Sequence, residues 1–341
     1  MRRVHHRLGG SGRPWHPADS ASFRYDAPNL ACVVGRLSDG NFVSSGLVGG
    51  QTLFRYDGSG RAVQAIGRGG EGPGELSADL AVIVGARDSL FVVDRHRHHV
   101  LIFDPLGAHQ RSFDIPWRFD AFTRLTNGNF VFQRRVSARQ DGSQTGMVRV
   151  LDATGNEIAA HDPPSERLFE LGMPDLDGRN VSPSVFGGYW TTAIWSYELH
   201  RWSSPGVRDL VVVRNADWFS ANPPTSADEV EAWHVDAPPP RRVLHVSEAP
   251  DGLVWTFSVV PDPRWRPRQT PDAWDVAWAN RTTDTVIEVL DITSSGTVVA
   301  RTTIDERPMP VCGDHLMSVV RETPEGDTRA VVVRPVLERP E

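Results

Sequence analysis

The sequence predicts an all-β protein, a six-bladed β-propeller built from four-stranded antiparallel blades. Three observations carry that prediction. First, a turn followed by an apolar or aromatic strand recurs six times, as SDGNFV (38–43), RDSLFVVD (87–94), TNGNFVF (126–132), FGGYWTT (186–192), PDGLVWTF (250–257) and CGDHLMSVV (312–320). Second, five of the six copies are followed by strand, Asp-to-Gly turn and strand, as in VLIFDPLGAHQRSF (100–113) and VRVLDATGNEIAA (148–160). Third, helix-period segments are nearly absent from the 341 residues. A repeat of this size and pattern makes one blade. A blade alone has two apolar faces, which only packing against neighbouring blades can bury.

The elements follow in order. Residues 1–16 have no periodic apolar pattern and are expected to be loosely ordered, with the propeller spanning 17–338. Blade 1 takes SDGNFV and LFRYDGSGRAVQAI (53–66), and the stretch GRGGEGPGEL (67–76) connects it to blade 2. Blade 2 runs from LSADLAVIVG (76–85) to residue 113, and blade 3 holds the two segments ending at 132 and 160. Blade 4 takes FGGYWTT and ELHRWSSPGVRDLVVV (198–213), then breaks into an insertion over 219–242. Blade 5 is interrupted over 261–281 before IEVLDITSSGTVVA (287–300). Blade 6 has PMPV (308–311), LMSVVRE (316–322) and RAVVVRPVL (329–337), then nothing to cover its outer edge. An unpaired apolar edge is costly, and the β-like segment near 20–28 is expected to supply the missing strand and close the ring.

The run GRGGEGPGEL followed by SLFVVDRHRHHVLIFDPLG (89–107) resembles bacterial six-bladed β-propellers related to NHL repeats. The resemblance covers most of the chain from about residue 30 and implies the fold. The group has no single activity to carry over. Its members are typically exported, whereas MRRVHHRLGG here is followed by no apolar signal core. The sequence as it stands reads as cytoplasmic, and the resemblance implies an exported or periplasmic protein if a leader is missing.

The glycine loop invites a nucleotide reading, which its chemistry opposes. A phosphate loop ends in Gly-Lys-Ser/Thr and opens a helix, but this one ends Gly74-Glu75-Leu76 and leads into a strand. It reads as a joint whose glycines permit a sharp path, with Arg68, Glu71 and Glu75 placed where a ligand could meet them. His96, His98 and His99 crowd into one hairpin, but alternation along strands turns their rings apart, so no metal site is assigned.

Nine of the eleven tryptophans lie between Trp190 and Trp278. Trp190 and Trp255 fill the repeat's core position. Trp218, Trp233, Trp265, Trp274 and Trp278 fall in connecting segments, where they either pin long loops or form a recognition platform. Ser226 and Glu229 have capping-box spacing for a short helix through Trp233. Loops longer than about 12 residues in compact domains often bind ligands, which makes the insertion-bearing face the expected recognition face, with Trp233, Trp265 and Trp274 around it.

The net charge of −7, with all 36 basic residues arginine, offers no basic stripe for nucleic acid. No run of 18 apolar residues suggests a membrane span. Cys32 and Cys312 are the only cysteines, too few for a disulfide scaffold or a cysteine-based zinc cluster. Placed at the starts of blades 1 and 6, they allow one bridge in an oxidising compartment, or two buried thiols. No serine-nucleophile elbow or zinc-protease motif occurs. The expected function is therefore a non-catalytic, monomeric binding propeller with no cofactor, recognising a protein, peptide or small ligand. The alternative is a metal-dependent hydrolase or lactonase holding calcium or another divalent ion in the central channel, its ligands drawn from several inner strands.

Overall fold

The computed structural model describes residues 2–5, 18–24, 34–44, 51–135, 146–163, 165–171, 173, 176–220, 223–226, 228–229, 237–267, 283–293, 297–312, 315–322 and 328–337. Along the chain come β1 (Arg2–His5) and β2 (Ala18–Arg24), then the strands of six sheets. These are β3 (Val34–Arg36), β4 (Phe42–Ser44), β5 (Leu53–Tyr56) and β6 (Ala62–Ile66); then β7 (Leu80–Val84), β8 (Leu90–Asp94), β9 (His99–Phe103) and β10 (His109–Asp114). Next are β11 (Phe119–Arg124), β12 (Phe130–Arg134), β13 (Val148–Leu151) and β14 (Glu157–His161). The short helix α1 (Glu166–Glu170) precedes β15 (Arg179–Pro183), β16 (Tyr189–Ala193), β17 (Glu198–Ser204) and β18 (Val207–Val213). Last come β19 (Arg242–Glu248), β20 (Leu253–Pro261), β21 (Thr283–Asp291), β22 (Thr297–Ile304), β23 (Met309–Val311), β24 (Leu316–Glu322) and β25 (Thr328–Arg334).

The chain divides into two compact units. One contains the sheets β3–β6, β7–β10 and β2-β25-β24-β23. Strand alternation explains its core. Phe42 and Tyr56 face Val311, Leu316 and Val332, while their neighbours Val43 and Leu53 face Leu80, Val82, Leu90 and Leu101. The middle sheet is thus buried on both sides. β2 lies antiparallel to β25, with Phe23 opposite Ala330, so strands from both ends of the chain share a sheet. Residues 25–28, also expected in that strand, lie outside the described residues.

The other unit contains β11–β14, β15–β18 and β19–β22. The same alternation operates: Tyr189 packs with Val131, Val148 and Val150, and the adjacent Trp190 packs with Val243, Val246 and Val254. β1 joins the outer edge of β18 as a parallel fifth strand, within the segment expected to be loosely ordered. An open strand edge offers donors and acceptors that such a segment can satisfy.

All six residues of the repeated core position are buried: Phe42, Phe91, Phe130, Trp190, Trp255 and Met317. The turns repeat too. Asp57, Asp104 and Asp152 each accept backbone N–H groups two and four residues on, at 2.8–3.1 Å. Gly60, Gly107 and Gly155 follow with φ of +82°, +85° and +98°, the left-handed region that glycine tolerates.

Candidate functional site

The Gly67–Leu76 loop is closed upon itself. The Glu75 carboxylate accepts the Gly72 N–H at 2.7 Å and Arg68 Nε at 2.8 Å. Leu76 N–H bonds Arg68 O at 2.8 Å, and Arg97 donates to the carbonyls of Gly70 and Glu75. The backbone donor that a bound anion would need is taken by the loop's own carboxylate, whose acidity the Gly72 N–H and the arginine increase. Arg68 and Glu71 are exposed and Glu75 is half-buried.

The histidine hairpin is also internally satisfied. Asp94 is fully buried and accepts Ser77 N, Ser77 Oγ and Arg97 N at 2.6–3.1 Å, which shapes the β8–β9 turn. His99 meets Asp114 at 2.8 Å on the adjacent strand. Among the described residues no three of His, Cys, Asp and Glu stand together as a metal site would need.

The insertions have a common geometric origin. β18 ends at Val213 and β19 begins at Arg242; β20 ends at Pro261 and β21 begins at Thr283. Arg242 pairs with Val259 and Pro261 with Thr283, so both insertions leave blade 5 at one end of its strands. Blade 4 is tied to that end by Val243 N–H to Ile194 O at 3.0 Å and Asn180 Nδ2 to Val243 O at 2.8 Å.

Each root carries a buried carboxylate. At the first, Glu288 receives Arg214 through two bonds of 3.1 Å, Tyr197 Oη at 2.8 Å and Trp218 Nε1 at 3.3 Å. Arg214 is 4% exposed and Glu288 0% exposed, so the charges are paired away from water. Burial, and then the Glu288 charge, push the Tyr197 hydroxyl well above its usual value. Trp218 thus holds the loop down. At the second root Asp262 accepts Arg264 N, Nε and Nη2, and its acidity rises accordingly. Trp265 is half-buried, with an indole N–H shielded from water and without an acceptor among the described residues. Trp233 and Trp274 lie outside the described residues. The capping box is present: Glu229 N–H bonds Ser226 Oγ at 3.2 Å, and Glu229 takes the N–H of Thr225, one residue before the expected partner, at 2.8 Å.

Two arginines that sequence reasoning did not single out stand at the same end. The Arg242 guanidinium lies over the Trp195 ring at 6.0 Å. Burial lowers its basicity, and burial together with the Arg242 charge brings Arg307 down to about 10. Nearby, burial also acts on Arg179, but the carboxylates of Asp162 and Asp177 outweigh it and hold that guanidinium charged. Nothing local in PPPRRV or DERPMP distinguishes Arg242 or Arg307 from the chain's other arginines.

Cys312 is disulfide-bonded. The sequence's other cysteine, Cys32, lies outside the described residues. No helix among the described residues is long and apolar enough to cross a membrane.

Residues 42–168 match a family described as a 6-bladed beta-propeller. No match was found among the curated proteins. Among solved structures, a member of the DUF4221 family from Bacteroides vulgatus aligns over 95% of this chain and 98% of its own, with 11% identity and a TM-score of 0.62. A putative exported protein from Bacteroides fragilis aligns over 98% and 99%, with 11% identity and a TM-score of 0.58. A virginiamycin B lyase from Staphylococcus aureus aligns over 92% and 99%, with 8% identity and a TM-score of 0.47. With six sheets that each hold four antiparallel strands and the family match across blades 1 to 3, the chain is a six-bladed β-propeller.

Proposed function

We propose that this propeller is a binding module whose ligand, a peptide, protein segment or small molecule, is recognised at the insertion-bearing end of blades 4 and 5. The observation that carries the reading is the shared origin of the two insertions, the first tied at its root to blade 5 through the buried Glu288 and the second opening in a turn shaped by the buried Asp262. Rigid roots let long connections present side chains with less ordering cost on binding. The disulfide at Cys312 supports an oxidising compartment as the site of action. A thermal-shift screen of peptide and small-molecule libraries, with each hit mapped by hydrogen–deuterium exchange, tests this. Protection concentrated in 214–242 and 258–285 is expected. Hits that map to the sheets β3–β6 or β7–β10 instead would remove the reading.

A further inference from the structure

We infer that Arg242 and Arg307 form a binding site for an oxyanion, a carboxylate or phosphate group of the ligand; this rests on the reading that the ligand binds at this end of blade 5. The argument starts from pairing. Three other arginines at this end have carboxylates: Arg179 has Asp162 and Asp177, Arg214 has Glu288, and Arg264 has Asp262. The guanidinium groups of Arg242 and Arg307 have neither hydrogen bond nor ion pair among the described residues. Each has its Nε–H shielded from water without an acceptor. Each residue is half-buried, and both stand at one end of blade 5: Val259 pairs with both Arg242 and Thr285, and Thr285 Oγ1 donates to the carbonyl of Glu306, next to Arg307, at 2.7 Å. Two like charges drawn out of water without a counter-ion are unfavourable, and an arriving oxyanion relieves both terms at once.

The chemistry narrows the ligand. Guanidinium is a planar fork of N–H donors that matches the paired oxygens of carboxylate or phosphate. The Trp195 ring lies within cation–π reach of Arg242, which favours one position of the guanidinium before the ligand arrives. Trp195 is itself held, its indole N–H bonded to Leu176 O at 2.7 Å. The arrangement is therefore a cationic fork beside a second cation, at the end of the blade from which both insertions leave.

The test uses the full chain at constant ionic strength, titrated separately with sodium phosphate and sodium glutarate against a sodium chloride control. A saturable rise in melting temperature with either probe is expected, and the better probe tells phosphate from carboxylate. Arg307→Met should weaken binding by about tenfold or more, and Arg307→Lys, which keeps the charge but not the fork, should fall between. A second readout needs no ligand: Arg307→Met should melt at or above the parent temperature, because it removes an unpaired buried charge. No response beyond chloride, an unchanged response in Arg307→Met, or a clear drop in the anion-free melting temperature of that variant each overturns the site. Replacing 223–238 by a Gly-Ser linker separates the two ideas. If anion binding survives but library hits no longer need this end, the functional reading fails and the site stands. If library hits still protect this end while no oxyanion binds, the site fails and the reading stands.

Discussion

Gly72 and Gly74 sit two residues apart in one loop and tolerate change for different reasons. Gly74 has φ of +77°, and an added Cβ would lie 2.8 Å from His109 Cβ. Gly74→Val should cost roughly 1–3 kcal/mol, read as a lower denaturant midpoint at unchanged slope. In sequence the two glycines look alike, and either could supply the positive φ of a sharp path. Gly72 is not in the left-handed region; a Cβ there meets the Glu75 carboxyl at 3.2 Å, and that side chain can give way. Gly72→Val should therefore cost less than Gly74→Val, and the reverse order would contradict this account. At the insertion root, Glu288→Gln leaves Arg214 buried without its charge partner. A loss of about 3–5 kcal/mol in chemical unfolding is expected, the usual cost of breaking one partner of a buried pair.

The recurrent element is the Asp-to-Gly turn, and its acid response follows from its hydrogen bonds. Asp57 is held down to about 2, first by the Ser59 hydroxyl and then by the Arg61 N–H. Asp152 is lowered by the Thr154 hydroxyl and the Asn156 N–H. A carboxylate with a depressed folded-state value stabilises the protein above the unfolded value of about 4, and that contribution is lost as pH falls toward the folded value. Melting temperature should thus fall between about pH 4 and 2, and less steeply in Asp57→Asn/Asp152→Asn, which keeps an acceptor oxygen without a titrating group. Equal acid slopes for the parent and the double variant would contradict the assignment. The turns and their strands were legible in sequence because Asp and Gly positions depend on local backbone bonds. The helix α1 was not: five residues in a connection carry too little periodicity to register.

For the whole molecule, the pairing of β2 with β25 places an early and a late strand of the chain in one sheet. Removing residues 1–30 takes away β2 and exposes the edge of β25, whereas removing 1–14 takes away only β1, an addition to an already four-stranded sheet. Differential scanning calorimetry should show a much larger fall in melting temperature for the first truncation. Equal values would mean that β2 does not hold the two ends together. A reductant that opens the Cys312 disulfide should lower the melting temperature of the intact chain as well.

The sequence by itself determined the number of blades and the buried residue at the repeated position of each, from Phe42 through Trp190 to Met317. These follow from period-two alternation and turn chemistry, which act over a few neighbouring positions and repeat six times. The tertiary structure alone decided which charges are paired. Glu288 finds Arg214 across 74 residues, and Asp162 and Asp177 find Arg179, while Arg242 and Arg307 find no carboxylate among the described residues. Pairing depends on which side chains distant segments bring to one end of a sheet, and on how little water reaches them there. Arginine looks the same in sequence whether its counter-ion is built in or must be supplied by a ligand.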